Sequence, residues 1–200
     1  MKKQVIVIHG GMTFDRYEYY MSFLKNKDVE IDDFKTGGGW KNSLAKELGN
    51  DFEILNPRMP NSANARYEEW KIWFAKMSPF IEEGAVLMGQ SLGGIFLAKC
   101  LSEISLPKKL KALILVSAPF DQAEHETLGD FGLPSSIDNC ARQAEKIFLI
   151  HSKDDPIVPF SESAKYQKSF PTAELIIFED RGHFNQETFP ELVGLIKGLR

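Results

Sequence analysis

Only two cysteines occur in the 200 residues, Cys100 and Cys140. They lie far apart and in no metal-ligand spacing, so neither a disulfide framework nor a zinc site is indicated. Cys100 falls in an apolar stretch and reads as a buried thiol. No long basic run is present and the net charge is −4, which argues against a nucleic-acid surface. The N-terminal apolar run Val5–Ile8 is four residues long before His9-Gly10-Gly11. That is too short for a signal peptide or a membrane span, so a first core strand, no membrane contact and a cytoplasmic protein are expected. Among the four histidines no pair has an H-x-x-x-H spacing, and no metal or other cofactor is expected. No repeat, low-complexity tract or interdomain linker interrupts the chain, which reads as one domain over 1–200.

What is present is an ordinary globular composition, 43% apolar and 26% charged. A chain of this size buries roughly 70% of its unfolded surface without needing a staple. Six segments read as strands: Val5–Ile8, Phe52–Leu55, Ala85–Met88, Ala112–Val116, Ile147–Ile150 and Leu175–Phe178. Most are continuous apolar runs, the pattern of parallel strands covered on both faces. Helical spacing marks Trp40–Leu48, Arg66–Ile81, Ile95–Ile104, Ser161–Phe170 and a last helix carrying Phe189, Leu192, Val193 and Ile196. Ser161 is expected to cap its helix and Pro190 to sit in the first turn of the last one. Trp70, Trp73 and Phe74 are expected to face the core. Alternating strands and helices predict a three-layer α/β/α fold around a six-stranded, mostly parallel sheet.

Two stretches are long for simple crossovers. Met12–Gly39 holds Phe14, Tyr17, Tyr19, Tyr20, Phe23 and Phe34 and ends in Gly37-Gly38-Gly39; it reads as a cap-like insertion over 12–39. Ser117–Glu145 carries Gly129, Gly132 and Pro134, with a short helix expected near Ile137–Ala144. Both follow strand ends, the side on which open parallel sheets bind ligands.

The motif that carries chemistry is Gly89-Gln90-Ser91-Leu92-Gly93. This G-x-S-x-G pattern sits between a strand and a helix, the setting of a nucleophile elbow. A serine hydroxyl needs a base, and the base needs an orienting group. Chain order places an acid and then a histidine downstream. After Ile147–Ile150 comes His151-Ser152-Lys153-Asp154-Asp155-Pro156. Asp154 and Asp155 compete, with Asp121 a distant third. The prolines stiffen the loop from Asp155 onward, which favours that residue in part, the resemblance named below supplying the rest; Asp154 then reads as a solvated carboxylate. His183 is the one histidine after the acid loop. His9 reads as shaping its own loop, His151 as structural and His125 as solvated. An oxyanion hole needs two backbone N–H donors: Leu92, directly after the serine, and Gly11 in the loop after the first strand, with Met12 as the reserve.

The order Ser91, Asp155, His183, with His9-Gly10 after the first strand, resembles the α/β-hydrolase superfamily over essentially the whole chain. Pro57-Arg58-Met59-Pro60-Asn61, Glu69-Trp70 with Trp73, Asp155-Pro156-Ile157-Val158-Pro159-Phe160 and Gly182-His183 are similar to the small serine hydrolases related to retinoblastoma-binding protein nine and their bacterial relatives. The resemblance implies a minimal hydrolase fold without the opening antiparallel hairpin, and Asp155 as the acid of the triad. Gln90 fills a variable place in that pattern. The expected activity is hydrolysis of a small ester, thioester or amide through an acyl-enzyme, with Met12, Tyr17, Phe120 and Phe184 against the substrate. Alternatives are a non-catalytic protein-interaction module on this scaffold and an acyltransferase. A protein partner, and monomer against dimer, are left open.

Overall fold

The computed structural model describes residues 2–31, 39–121 and 127–199. Phe34, Gly37, Gly38 and His125 lie outside them. The strands are β1 (Lys3–Ile8), β2 (Phe52–Leu55), β3 (Val86–Gln90), β4 (Leu110–Val116), β5 (Ala144–Ser152) and β6 (Glu174–Phe178). They form one sheet in the order β2-β1-β3-β4-β5-β6, and each neighbouring pair is parallel. All six expected strands are present. β5 begins earlier than its apolar run because Lys146 pairs with Ala112 on β4 although Glu145 and Lys146 face solvent.

Side chains alternate between two packed faces, as the pleat requires. Ile6, Ile8, Leu87, Leu113, Leu115 and Leu149 point to one face. Val5, Val7, Val86, Met88, Ile114 and Ile150 point to the other. The first face is covered by α3 (Tyr67–Met77), α4 (Leu92–Glu103), α5 (Asp138–Arg142) and α6 (Ser161–Ser169). The second is covered by α2 (Trp40–Leu48) and α7 (Pro190–Gly198), through Trp40, Leu44, Leu192 and Ile196. The result is the three-layer α/β/α arrangement. Each fully buried large side chain in these layers stabilises the fold by about 2 kcal/mol before its entropy cost.

Local departures have local causes. The helix expected over Arg66–Ile81 ends at Met77, and Ser78–Phe80 continues as a 3-10 turn. Pro79 has no N–H to continue the α-helical ladder, so the regular helix stops there although Ser78 itself keeps helical backbone at φ −56, ψ −32. Trp73 does not face the core: it is 48% exposed, whereas Trp70 and Phe74 are fully buried. Ser161 does not cap α6; Phe160 occupies that position and no side chain caps the end. Pro190 does stand in the first turn of α7. Within the 12–39 segment lies a helix, α1 (Tyr17–Asn26), with no buried residue. No helix among the described residues is long and apolar enough to cross a membrane.

The chain leaves β1 for the sheet edge at β2 and returns on the other side of β1 as β3. This reversal makes a crevice at the C-terminal ends of β1 and β3, the place where open parallel sheets bind ligands.

Candidate active site

Ser91 follows the last residue of β3 and immediately precedes α4. Its backbone lies at φ 53, ψ −125, a conformation costly for any residue with a Cβ. The turn is held by Ser91 N–H donating to Val116 O (2.9 Å) and Gly94 N–H donating to Ser91 O (2.8 Å). The motif glycines permit close approach: a Cβ on Gly89 would stand 2.3 Å from Gly93 O, and one on Gly93 would stand 2.4 Å from Ile8 O. The first strand thus crosses directly behind the elbow. A Cβ on Gly10 would lie 3.2 Å from Ser91 Cβ, so the loop after β1 rests on the serine.

That loop is locked by His9. Its Nε2 accepts from Met59 N–H at 2.9 Å, so the ring proton is on Nδ1, which donates to Gly10 O at 2.6 Å. Gly10 C=O and Gly11 N–H belong to one planar peptide, so fixing the carbonyl also fixes the direction of the N–H. Among the described residues neither Gly11 N–H nor Leu92 N–H has an acceptor. Met12 N–H is already given to Ser62 O (2.9 Å). This removes the reserve donor and leaves Gly11 as the free one.

The acid and histidine loops follow β5 and β6. Asp155 accepts from Ile157 and Val158 N–H at 2.9 and 3.0 Å, and His183 Nδ1 lies 3.1 and 3.0 Å from its two carboxylate oxygens. Burial pushes the Asp155 carboxyl up, but the His183 and backbone hydrogen bonds outweigh it and hold the group below the usual carboxylate range. Asp121 is instead an exposed partner of Lys165 at 2.6 Å. Asp154 is more than a solvated carboxylate. It accepts from Ser152 Oγ (2.5 Å) and Gly182 N–H (2.9 Å), tying the acid loop to the residue before His183. His151 is 2% exposed and donates through Nε2 to Val158 O at 2.9 Å, closing the acid loop from beneath. Burial lowers its pKa.

Gln90 stands at a position the motif leaves variable, yet its buried amide joins the elbow to the histidine loop. Gln90 Nε2 donates to His183 O at 2.9 Å and to Phe184 O at 3.3 Å. Trp40 Nε1 donates to the same Phe184 carbonyl at 2.9 Å. Lys41 Nζ donates to Gln90 Oε1, and a lysine can only donate, so the amide oxygen is committed to that side. Burial brings the Lys41 ammonium down to about 8. Only the polar, core-lying amide at a motif position marked as variable could have signalled this bridge. Among the described residues no hydrogen bond joins Ser91 Oγ to the His183 ring, as is common for catalytic pairs before substrate binds.

Of the four residues expected against substrate, two line cavities. Met12 borders one of about 320 Å³ that also touches Gly11 and Leu92, and Tyr17 borders one of about 910 Å³ beside His9. Phe184 belongs to the core, whereas Phe120 is only partly buried and packs against it. Phe184 is 1% exposed and stacks on Phe189 at 5.1 Å, because its φ of 55 turns the ring inward. Phe120 packs edge-on to Tyr166 at 4.9 Å while Glu162 holds its N–H. Cys100 is fully buried as expected, and burial pushes its thiol up to about 12.

The chain is 28% identical over 166 residues to serine hydrolase RBBP9 of Rattus norvegicus, covering 80% of this chain and 86% of that one. It is 29% identical over 193 residues to YdeN of Bacillus subtilis (strain 168), covering 94% and 88%. The crystal structure of the ydeN gene product shares its fold, with a TM-score of 0.80 at 24% identity over 99% of this chain and 98% of that one. A family model for serine hydrolases matches residues 35–191, a span that takes in Ser91, Asp155 and His183 together. The α/β-hydrolase architecture and that match make the chain a member of the serine hydrolase family.

Proposed function

We propose that the protein hydrolyses small carboxylic esters, thioesters or amides through Ser91, His183 and Asp155. Ser91 Oγ attacks the carbonyl carbon as its proton passes to His183 Nε2. Asp155 keeps the imidazole proton on Nδ1 and stabilises the imidazolium. The N–H groups of Gly11 and Leu92 receive the oxyanion; losing one such donor costs about 10²–10³ in turnover. As the tetrahedral species collapses, the leaving group departs with the proton from His183. Water, deprotonated by His183, then attacks the acyl carbon and frees Ser91.

The observation that carries this reading is the bridge from the elbow to the base. The residue next to Ser91 grips the His183 backbone at 2.9 Å while the His183 ring is already bound to Asp155. Labelling with a fluorophosphonate probe tests it. The intact protein is expected to gain one probe mass on Ser91 and the Ser91→Ala variant none. A wild-type chain that stays unlabelled, or label that survives Ser91→Ala, overturns the proposal.

A further inference from the structure

Acyl transfer at Ser91 makes no use of the side chains of Arg58, Asn61, Asn64, Arg66 and Glu69. These residues line the cavity of about 910 Å³ on the His9 side of the loop after β1. The cavity of about 320 Å³ lies on the Gly11 side. Helix α1 stands between the two: Tyr17 and Tyr20 border the larger, Tyr19 and Phe23 the smaller. Spacings of three and four residues put each pair on its own helix face.

The two chambers differ in chemistry. The smaller is walled mainly by Met12, Phe14, Phe23, Leu92 and Leu128, with Thr13, Asp15 and Thr127 also lining it, and meets both free backbone donors. The larger carries two guanidinium groups. Arg58 is exposed and has no carboxylate partner among the described residues. Arg66 gives Nη1 to Phe14 O at 3.0 Å, which pins the side chain and leaves the rest of its fork without a partner among the described residues. The carboxylate that also lines the chamber, Glu69, is occupied by Asn61 Nδ2 at 2.8 Å. Two cations against one engaged acid stand out in a chain of net charge −4. Guanidinium groups match the planar, two-oxygen face of carboxylates and phosphates. Asn64, in the same chamber, has its Oδ1 buried without a donor among the described residues.

We infer that the substrate has two unlike arms, an apolar acyl group in the chamber beside Gly11 and Leu92 and a leaving group bearing a carboxylate or phosphate, held by Arg58 and Arg66. The inference rests on the hydrolytic reading of Ser91 for the order of the arms, not for the anion site. It gives Pro57–Asn61 a function: the two prolines stiffen the backbone that presents Arg58.

The test compares kcat/KM for butyrate esters of nitrophenol, a carboxynitrophenol and a phosphate-bearing nitrophenol. The anionic esters are expected to be favoured by about tenfold, the scale of one charge-assisted hydrogen bond. Arg58→Gln is expected to bring the ratio close to one. Lys108→Gln, an exposed cation in the turn before β4, is expected to keep it. The phosphate and carboxylate arms decide which anion is preferred. Calorimetric binding of the same esters to Ser91→Ala reads the site without turnover. A wild-type ratio near one, or a ratio unchanged by Arg58→Gln, overturns the inference while labelling at Ser91 leaves the hydrolase reading intact. Failure of labelling with tighter binding of the anionic ester does the reverse.

Discussion

At Ser91 the proposed chemistry and backbone comfort oppose each other. A residue at φ 53, ψ −125 costs about 1–3 kcal/mol when it carries a Cβ. Ser91→Gly removes that cost at some expense in chain entropy. It is expected to stabilise the fold by about 1 kcal/mol, raising Tm by about 2–4 °C in calorimetry while abolishing labelling. An unchanged or lower Tm would show that the turn stores no strain. Gln90 is the next residue of consequence. Gln90→Met keeps the volume but drops the donor to His183 O. Its kcat per titrated active site is expected to fall about tenfold with KM unchanged, since the loss is of orientation rather than of substrate contact. A fall only in the titrated fraction would mark a purely structural role. Lys41→Met should have a smaller effect of the same kind, because Lys41 orients the amide without touching the loop. Asp155→Asn is expected to cost about 10⁴ in kcat by favouring the wrong imidazole tautomer.

The elements with internal periodicity were the ones the chain announced. Five helices and six strands bury runs whose spacing is set by helix pitch or strand pleat, so their positions were legible. α1 was not, because it buries nothing and its apolar residues serve two cavity walls rather than one core stripe. Its role predicts a specificity change. Phe23→Ala opens the wall of the cavity of about 320 Å³, and the preferred acyl chain in a nitrophenyl ester series should lengthen by about two to four carbons. Each carbon in an apolar pocket contributes about 0.8 kcal/mol. An unaltered chain-length profile would place the acyl group elsewhere. The loops after β5 and β6 show the complementary case. Neither is periodic, and each is shaped by side chains from other elements: His151 beneath one, Gln90 and Trp40 beneath the other.

Across the whole molecule, the buried groups set the response to acid. His151 has its pKa lowered in the folded state, burial outweighing the pull of Val158 O and Asp155. Between its unfolded pKa of about 6.5 and the lower folded value, the unfolded chain binds a proton that the native one refuses, so stability falls as pH drops below about 6.5. Asp155 has the depressed pKa of a paired carboxylate. Its contribution is present above about pH 3.9 and is lost as pH falls through the folded value. A Tm profile from pH 8 to 3 should therefore decline in two stages, and His151→Gln should flatten the first. Equal slopes in the variant and the wild type would remove His151 from the account. The sequence by itself determined the sheet, the elbow and the order of serine, acid and histidine, because apolar periodicity and a strand-turn-helix glycine pattern are local signals. Only the tertiary structure decided that Asp154 ties two loops together, that Phe184 is core, that Gln90 bridges the elbow to His183, and that Arg58 and Arg66 share a chamber. Each of these depends on residues from separate strands or loops meeting at one end of the sheet, and no run along the chain encodes which of them will meet.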